Sequence, residues 1–212
     1  MPRDKKMVDV DVRLGLSGSD LAIRDRTFTS DLSKTAQGNL TPAECIEWKA
    51  LQKAGFGDEV LVALRFREQD FLSVKKERIV GILTLLRDNP ECSYDLVSDI
   101  FGVDLLGFER EPRFEIIYSL YSLKYKKRVV IKAQVGEEEL SLDTVSGVWP
   151  AAEWPEREIF DLFGINFNNH ADMRRILMPD DWIGHPLRKD FPLGGEEVEF
   201  SHNVRDQETV QR

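Results

Sequence analysis

Five side chains in one stretch could hold a metal ion or move protons. Glu156, Glu158, Asp161, His170 and His185 combine carboxylates with imidazoles, the donor set of divalent cations. Such a site would make the chain a metal-dependent hydrolase. The spacing argues against it. There is no HExxH, and Glu156 and Glu158 stand two apart on a helix, about 200° around its axis. The competing reading is structural. Arg157 would pair with Asp161 one turn on, and the glutamates would engage arginines such as Arg174 or Arg175. His185, between Gly184 and Pro186, reads as a turn residue whose ring bonds a backbone carbonyl. No serine or cysteine nucleophile accompanies it. GxGxxG and GxxxxGK[ST] loops are absent, so the expectation is no site for NADH, flavin or nucleotide.

The element that must position these residues is a short helix opening with Pro155 and closing before Gly164. Proline suits the first helical turn, and glycine suits the left-handed residue past the last one. Glu153 and Glu156 lie where the helix dipole favours negative charge. Ile159, Phe160, Leu162 and Phe163 form a stripe that needs burial. Past Gly164 the character changes. Pro179, Pro186 and Pro192 forbid a long helix, so this part runs extended or in turns. A segment rich in Arg, Asp, Trp and His with no regular structure of its own is expected to lie against a surface. Trp149, Trp154 and Trp182 pin it to its own domain or serve as interface anchors; the sequence leaves both open.

Before this stretch the chain reads as an α+β domain, a mostly antiparallel sheet with helices packed on one face, followed by a long irregular C-terminal arm. Residues 1–40 form a weakly ordered arm, with Val8, Val10, Val12 and Leu14 alternating as in a half-buried strand. Residues 41–165 form the domain and 166–212 the extended C-terminal arm for partner contact. Thr41-Pro42-Ala43-Glu44 is a capping box for a helix that ends at Gly55. A strand over 59–67 is apolar on both faces in its first half, which predicts an interior place in the sheet. A helix over 74–87 stops at Asn89-Pro90. Strands follow over 94–101, 114–121 and 129–135, the last two as a hairpin. The basic cluster Lys124, Lys126, Lys127 and Arg128 falls at the hairpin tip, where lysines face water.

The chain has 212 residues and a net charge of −9, which argues against nucleic acid or an anionic membrane as partner. No apolar run approaches the roughly 20 residues of a membrane span, and the first residues lack the apolar core of a secretory signal. Cys45 and Cys92 read as buried, inert thiols of a reducing compartment. Two cysteines cannot ligate a four-cysteine iron–sulfur cluster.

Glu156-Arg157-Glu158, Asp161-Leu162-Phe163-Gly164, His170, Arg174 and Ile176 form one ordered series. Pro179-Asp180-Asp181-Trp182 and Gly184-His185-Pro186-Leu187-Arg188-Lys189-Asp190 continue it. Together they resemble the signature of the 30 kDa subunit family of respiratory complex I. Its bacterial members are the C subunits of the proton-translocating NADH:quinone oxidoreductase. The chain departs from that pattern at Asn169 and Ala171, which flank His170 where the family has glycine and proline, and at Val145, where it has proline.

The resemblance implies a cofactor-free member of the peripheral arm, with no catalytic residue, no metal and no activity alone. It would lie on the cytoplasmic face of the bacterial inner membrane and reach the membrane only through the complex. FMN and iron–sulfur clusters would sit in partner subunits, and the neighbours would be the quinone-site (49 kDa-type) subunit and iron–sulfur subunits. The implied interface residues are Glu156, Arg157, Glu158, Asp161, His170, Arg174, Arg175, Asp181, Trp182, His185, Arg188, Lys189 and Asp190. An equivalent subunit of a membrane-bound hydrogenase or of a ferredoxin-fed complex carries much the same signature.

Overall fold

The computed structural model describes residues 45–66, 69–108 and 112–192. The expected strand around Val10, the capping box at Thr41-Glu44 and the residues beyond Pro192 lie outside that set.

Alternation of apolar residues drives the sheet. In β4 (Phe114–Ser122) and β5 (Lys127–Val135), the side chains of Phe114, Ile116, Tyr118, Leu120, Val129, Ile131, Ala133 and Val135 all face one core. The two strands form the expected antiparallel hairpin, with Tyr118 opposite Ile131. β1 (Val60–Phe66), β2 (Gln69–Lys75) and β3 (Leu96–Asp104) complete a five-stranded sheet in the order β1-β2-β5-β4-β3. Neighbouring strands are antiparallel except β2 and β5, which run parallel.

Among the described residues three helices cover the core face: α1 (Ile46–Lys53), α2 (Ile79–Asp88) and α3 (Glu153–Phe163). Leu51, Ile79, Ile82, Leu83, Leu86, Ile159 and Phe163 join the sheet's inward side chains in one cluster. Gly102 of β3 lets α3 approach closely, because a Cβ there would stand 3.0 Å from the Phe163 ring. A short parallel pair, β6 (Ser141–Asp143) and β7 (Asn166–Asn168), flanks α3 on both sides of the sequence. The α+β class with helices on one face is therefore as expected.

Three strands differ from expectation. β2 occupies residues that include the expected start of a helix, and the true helix begins only at Ile79. The inward positions of β2 are Asp70, Leu72 and Val74, so a buried aspartate breaks the apolar alternation that marks a strand. β1 lies at the sheet edge rather than inside it; it is edged by β2 alone, and Leu61 stays 39% exposed. β3 starts at Leu96, because Tyr94 is drawn into the core to donate its hydroxyl to Glu47.

Lys127 is half-buried rather than fully solvated. It bridges the buried carboxylates of Glu47 and Asp70 at 2.9 and 2.7 Å. Cys45, Glu47 and Asp70 stand close enough together to hold a metal ion, but the Lys127 ammonium already supplies the cation between the two carboxylates. Burial and the charge of Glu47 push the Cys45 thiol up to about 12. It stays protonated and donates to Glu47, which leaves it inert as a nucleophile.

Candidate functional site

The site is the exposed flank of α3 and the arm that doubles back over it. A 3₁₀ turn, Pro150–Ala152, leads into the helix. Pro155 therefore sits at the third helical position rather than the first. Gly164 caps the end with φ 73°. One flank of α3 buries Glu156, Ile159 and Phe163, spaced i, i+3 and i+7, and the other buries Arg157 and Asp161. Glu158 points to solvent.

Asp161 is fully buried near the negative end of the helix dipole, a poor place for a carboxylate unless donors surround it. The arm supplies them. One oxygen accepts the consecutive backbone N–H groups of Ile176, Leu177 and Met178 at 3.0, 2.7 and 2.8 Å, an anion-binding nest. The other accepts the Arg175 guanidinium at 2.7 Å. Burial pushes the Asp161 carboxyl up, but these four donors outweigh it and hold it below its ordinary value. Arg175 also donates to the carbonyls of Trp182 and Gly184, which closes the loop between them.

The expected pairing of Arg157 with Asp161 does not form. Arg157 donates to the carbonyls of Arg174 and Arg175 at 3.1 and 3.2 Å and stacks on Trp154 at 5.2 Å. Arg174 does not reach a glutamate either; it pairs with Asp172 at 2.6 Å on the surface. A planar, five-donor guanidinium satisfies backbone carbonyls that an irregular segment leaves free.

Glu156 is buried and accepts the Thr144 hydroxyl and the Val145 N–H. His170 Nε2 lies 3.9 Å from it, with neither side chain exposed. Desolvation raises the Glu156 carboxyl above its ordinary value, with Thr144, Val145 and His170 partly offsetting it. His170 accepts the Asp172 N–H at Nδ1 and faces the Glu153 carbonyl at Nε2, which fixes the turn into the arm. The metal constellation that the spacing argued against is not brought together by these five residues. Glu158 faces away, Asp161 is filled by N–H donors, and the His185 Nδ1 stands 2.9 Å from the Asp161 carbonyl.

The far end of the arm is held twice. Leu187 N–H and the Arg188 guanidinium reach the carbonyls of Leu162 and Phe163, and His185 and Arg188 fill the notch above Gly164. A Cβ at Gly164 would stand 2.5 Å from His185 Nε2 and 2.6 Å from Arg188 Nη2. Gly164→Ala is expected to cost about 2 kcal/mol, combining the left-handed backbone with displacement of both side chains. Thermal unfolding would show it, and an unchanged midpoint would contradict the packing described.

Beyond this notch, Arg113 gathers Asp104, Glu137 and Asp190 at 2.9, 2.8 and 2.7 Å. The Lys189 N–H donates to Asp104, and the Lys189 ammonium lies 4.1 Å over the Phe108 ring. Burial pushes the Asp104 carboxyl up; Arg113 and the N–H groups of Lys189 and Leu106 bring it down to about 2. Sequence reasoning misses Arg113 and Asp104. Arg113 stands in a charged run before β4, where nothing marks it as buried, and its partners lie 9, 24 and 77 positions away.

Of the implied interface residues, Asp161, Arg157, Arg175, His185 and Arg188 lock the arm to α3, and Glu156 and His170 set its start. Lys189 and Asp190 dock on Arg113 and Asp104. Arg174 and Asp181 are exposed, and Trp182 is half-buried.

Comparison with known proteins identifies the family. Residues 72–197 match the family described as respiratory-chain NADH dehydrogenase, 30 Kd subunit. The C subunit of NADH-quinone oxidoreductase from Roseiflexus sp. (strain RS-1) is 46% identical over 151 residues, covering 71% of this chain and 86% of the relative. Its counterpart from Geobacter metallireducens is 51% identical over 140 residues, covering 66% and 85%. A chain of the membrane-bound sulfane sulfur reductase, an archaeal respiratory membrane complex, shares the fold with a TM-score of 0.57 at 24% identity, over 72% of this chain and 87% of its own.

The family match and the curated relatives thus make the chain a subunit of a membrane-associated respiratory complex. The chain belongs to the 30 kDa subunit family of the respiratory-chain NADH dehydrogenase, whose bacterial members are named as the C subunit of NADH-quinone oxidoreductase. Its partners are other subunits of that complex. Among the described residues no helix is long and apolar enough to cross a membrane.

Proposed function

We propose that the chain is a cofactor-free scaffold in the peripheral arm of a proton-translocating NADH:quinone oxidoreductase. It packs beside the quinone-site (49 kDa-type) subunit and the iron–sulfur subunits, on the cytoplasmic face of a bacterial inner membrane. FMN and iron–sulfur clusters belong to those partners. Its part in catalysis is positional, since clusters exchange electrons only at fixed separations.

The observation that carries this reading is the internal use of the signature. Glu156, Arg157, Asp161, His170, Arg175, His185 and Arg188 spend their polar atoms on the chain's own backbone, on one another or on the hydroxyl of Thr144. The groups most able to do chemistry are consumed in shaping the arm. What the arm then offers to a neighbour is its outer surface.

Arg174 tests this. It is 76% exposed and among the described residues its one ion pair is with Asp172, and an exposed pair of this kind adds little to stability. Arg174→Ala should therefore leave the unfolding temperature of the isolated chain unchanged. The same variant is expected to lower the yield of assembled complex on a native gel. Assembly at the unsubstituted level would contradict an outward role for this surface.

A further inference from the structure

The arm has a tip that its own domain does not use. Ile183 is 90% exposed, the most exposed large apolar side chain among the described residues, and Leu177 and Leu187 of the same arm are 60% and 52% exposed. A solvated isoleucine is unremarkable on a mobile loop, but this loop is fixed at both ends. Arg175 holds the carbonyls of Trp182 and Gly184, and the Trp182 N–H closes a turn onto Pro179. Gly184 takes φ 92° under the Phe191 ring, where a Cβ would stand only 2.7 Å from that ring. The segment 179–184 carries two exposed aspartates, Asp180 and Asp181, and no basic residue. Arg174, the cation that feels Asp180, is already engaged by Asp172.

We propose that Ile183 is an anchor that enters an apolar socket on another subunit of the complex, and that lysine or arginine side chains ring this socket to meet Asp180 and Asp181. A projecting apolar side chain on a pre-ordered loop is the form of an interface hot spot. Little conformational freedom is lost when it docks, because the loop is already set. The acidic collar selects the socket's charge and speeds encounter with it. The inference rests on the chain being a subunit of the respiratory complex and adds the point of contact and the chemistry of the surface that receives it.

The test uses the full-length chain expressed in cells with the rest of the complex. Ile183→Asp, and separately the double charge reversal Asp180→Lys with Asp181→Lys, are compared with the unsubstituted chain for incorporation into purified complex. A photo-reactive residue at position 183 identifies what it touches.

Each variant is expected to incorporate at least tenfold less at an unchanged unfolding temperature, and the cross-link is expected on a different subunit, next to basic residues. Should a variant lose stability, the cross-link alone decides. Normal incorporation of both variants overturns the proposal, as does a cross-link to lipid or to a second copy of this chain. If the unsubstituted chain does not enter the complex, the subunit reading itself fails; if it enters and the variants follow, only the anchor fails.

Discussion

Asp161→Ala is expected to lower the stability of the isolated chain by about 3–5 kcal/mol, the cost of breaking a buried ion pair by removing one partner. The carboxylate is fully buried and satisfies the N–H groups of residues 176–178 together with Arg175. Alanine leaves the three N–H groups without their acceptor and Arg175 with backbone carbonyls alone. Each orphaned donor costs on the order of 1–3 kcal/mol, reduced where the arm can swing out and hydrate. That relief is itself observable. Amide exchange at residues 176–178 should speed up much more than exchange in β4 and β5, because the arm opens while the sheet stays closed. Chemical denaturation measures the first effect and hydrogen exchange the second. Slow exchange at those three amides in the variant would show that the arm is held by something other than Asp161.

Lys127→Ala should cost about 3 kcal/mol for a related reason: it strands two buried carboxylates at once. Glu47 is 1% exposed and Asp70 is fully buried. Tyr94 and Cys45 remain on Glu47, and Arg65 remains on Asp70, which limits the loss. The effect must depend on pH, and its sign follows from the carboxylates. Burial raises both, but Cys45, Tyr94 and Lys127 on Glu47, and Arg65 and Lys127 on Asp70, bring them below their ordinary 4.5 and 3.8. A carboxylate lowered by folding stabilises the fold above its unfolded value and loses that contribution as pH falls through its folded value. The penalty of the substitution is therefore full at neutral pH and shrinks in acid below the ordinary carboxylate range. Denaturant titrations at neutral and acidic pH decide it, and a penalty that stays constant in acid would contradict the bridge.

These two positions also show how much a sequence can say. The helix ending at Gly164, the β4–β5 hairpin and the α+β class are legible, because local spacing and turn residues encode them. Asp161 is legible as important through the signature, but its partner is not. The i, i+4 rule points to Arg157, whereas the carboxylate is claimed by backbone N–H groups more than a dozen residues on. Side-chain types cannot reveal a backbone nest that forms only when an irregular segment folds back. Lys127 looks solvated because it sits in a basic run at a hairpin tip. Its bridge to Glu47 and Asp70 depends on α1 and β2 meeting β5 from distant parts of the chain. The parallel pairing of β2 with β5 is hidden in the same way, since α2, β3 and β4 intervene.

Composition alone leaves open whether the arm lies on its own domain or on a partner, and the structure shows what its inner side chains hold. His170, Arg175, His185 and Arg188 turn inward to α3, while Arg174, Asp180 and Asp181 face out together with Leu177, Ile183 and Leu187. An arm organised in this way is a rigid shape rather than a tether.

The central claim is that this shape exists to be gripped while electron transfer takes place in other chains. Native purification through a tag on this chain, with mass identification of the companions, tests it most directly. The account predicts a stoichiometric set that includes a flavoprotein, iron–sulfur proteins and the quinone-site subunit. Recovery of the chain without companions from cells that contain the complex would contradict it.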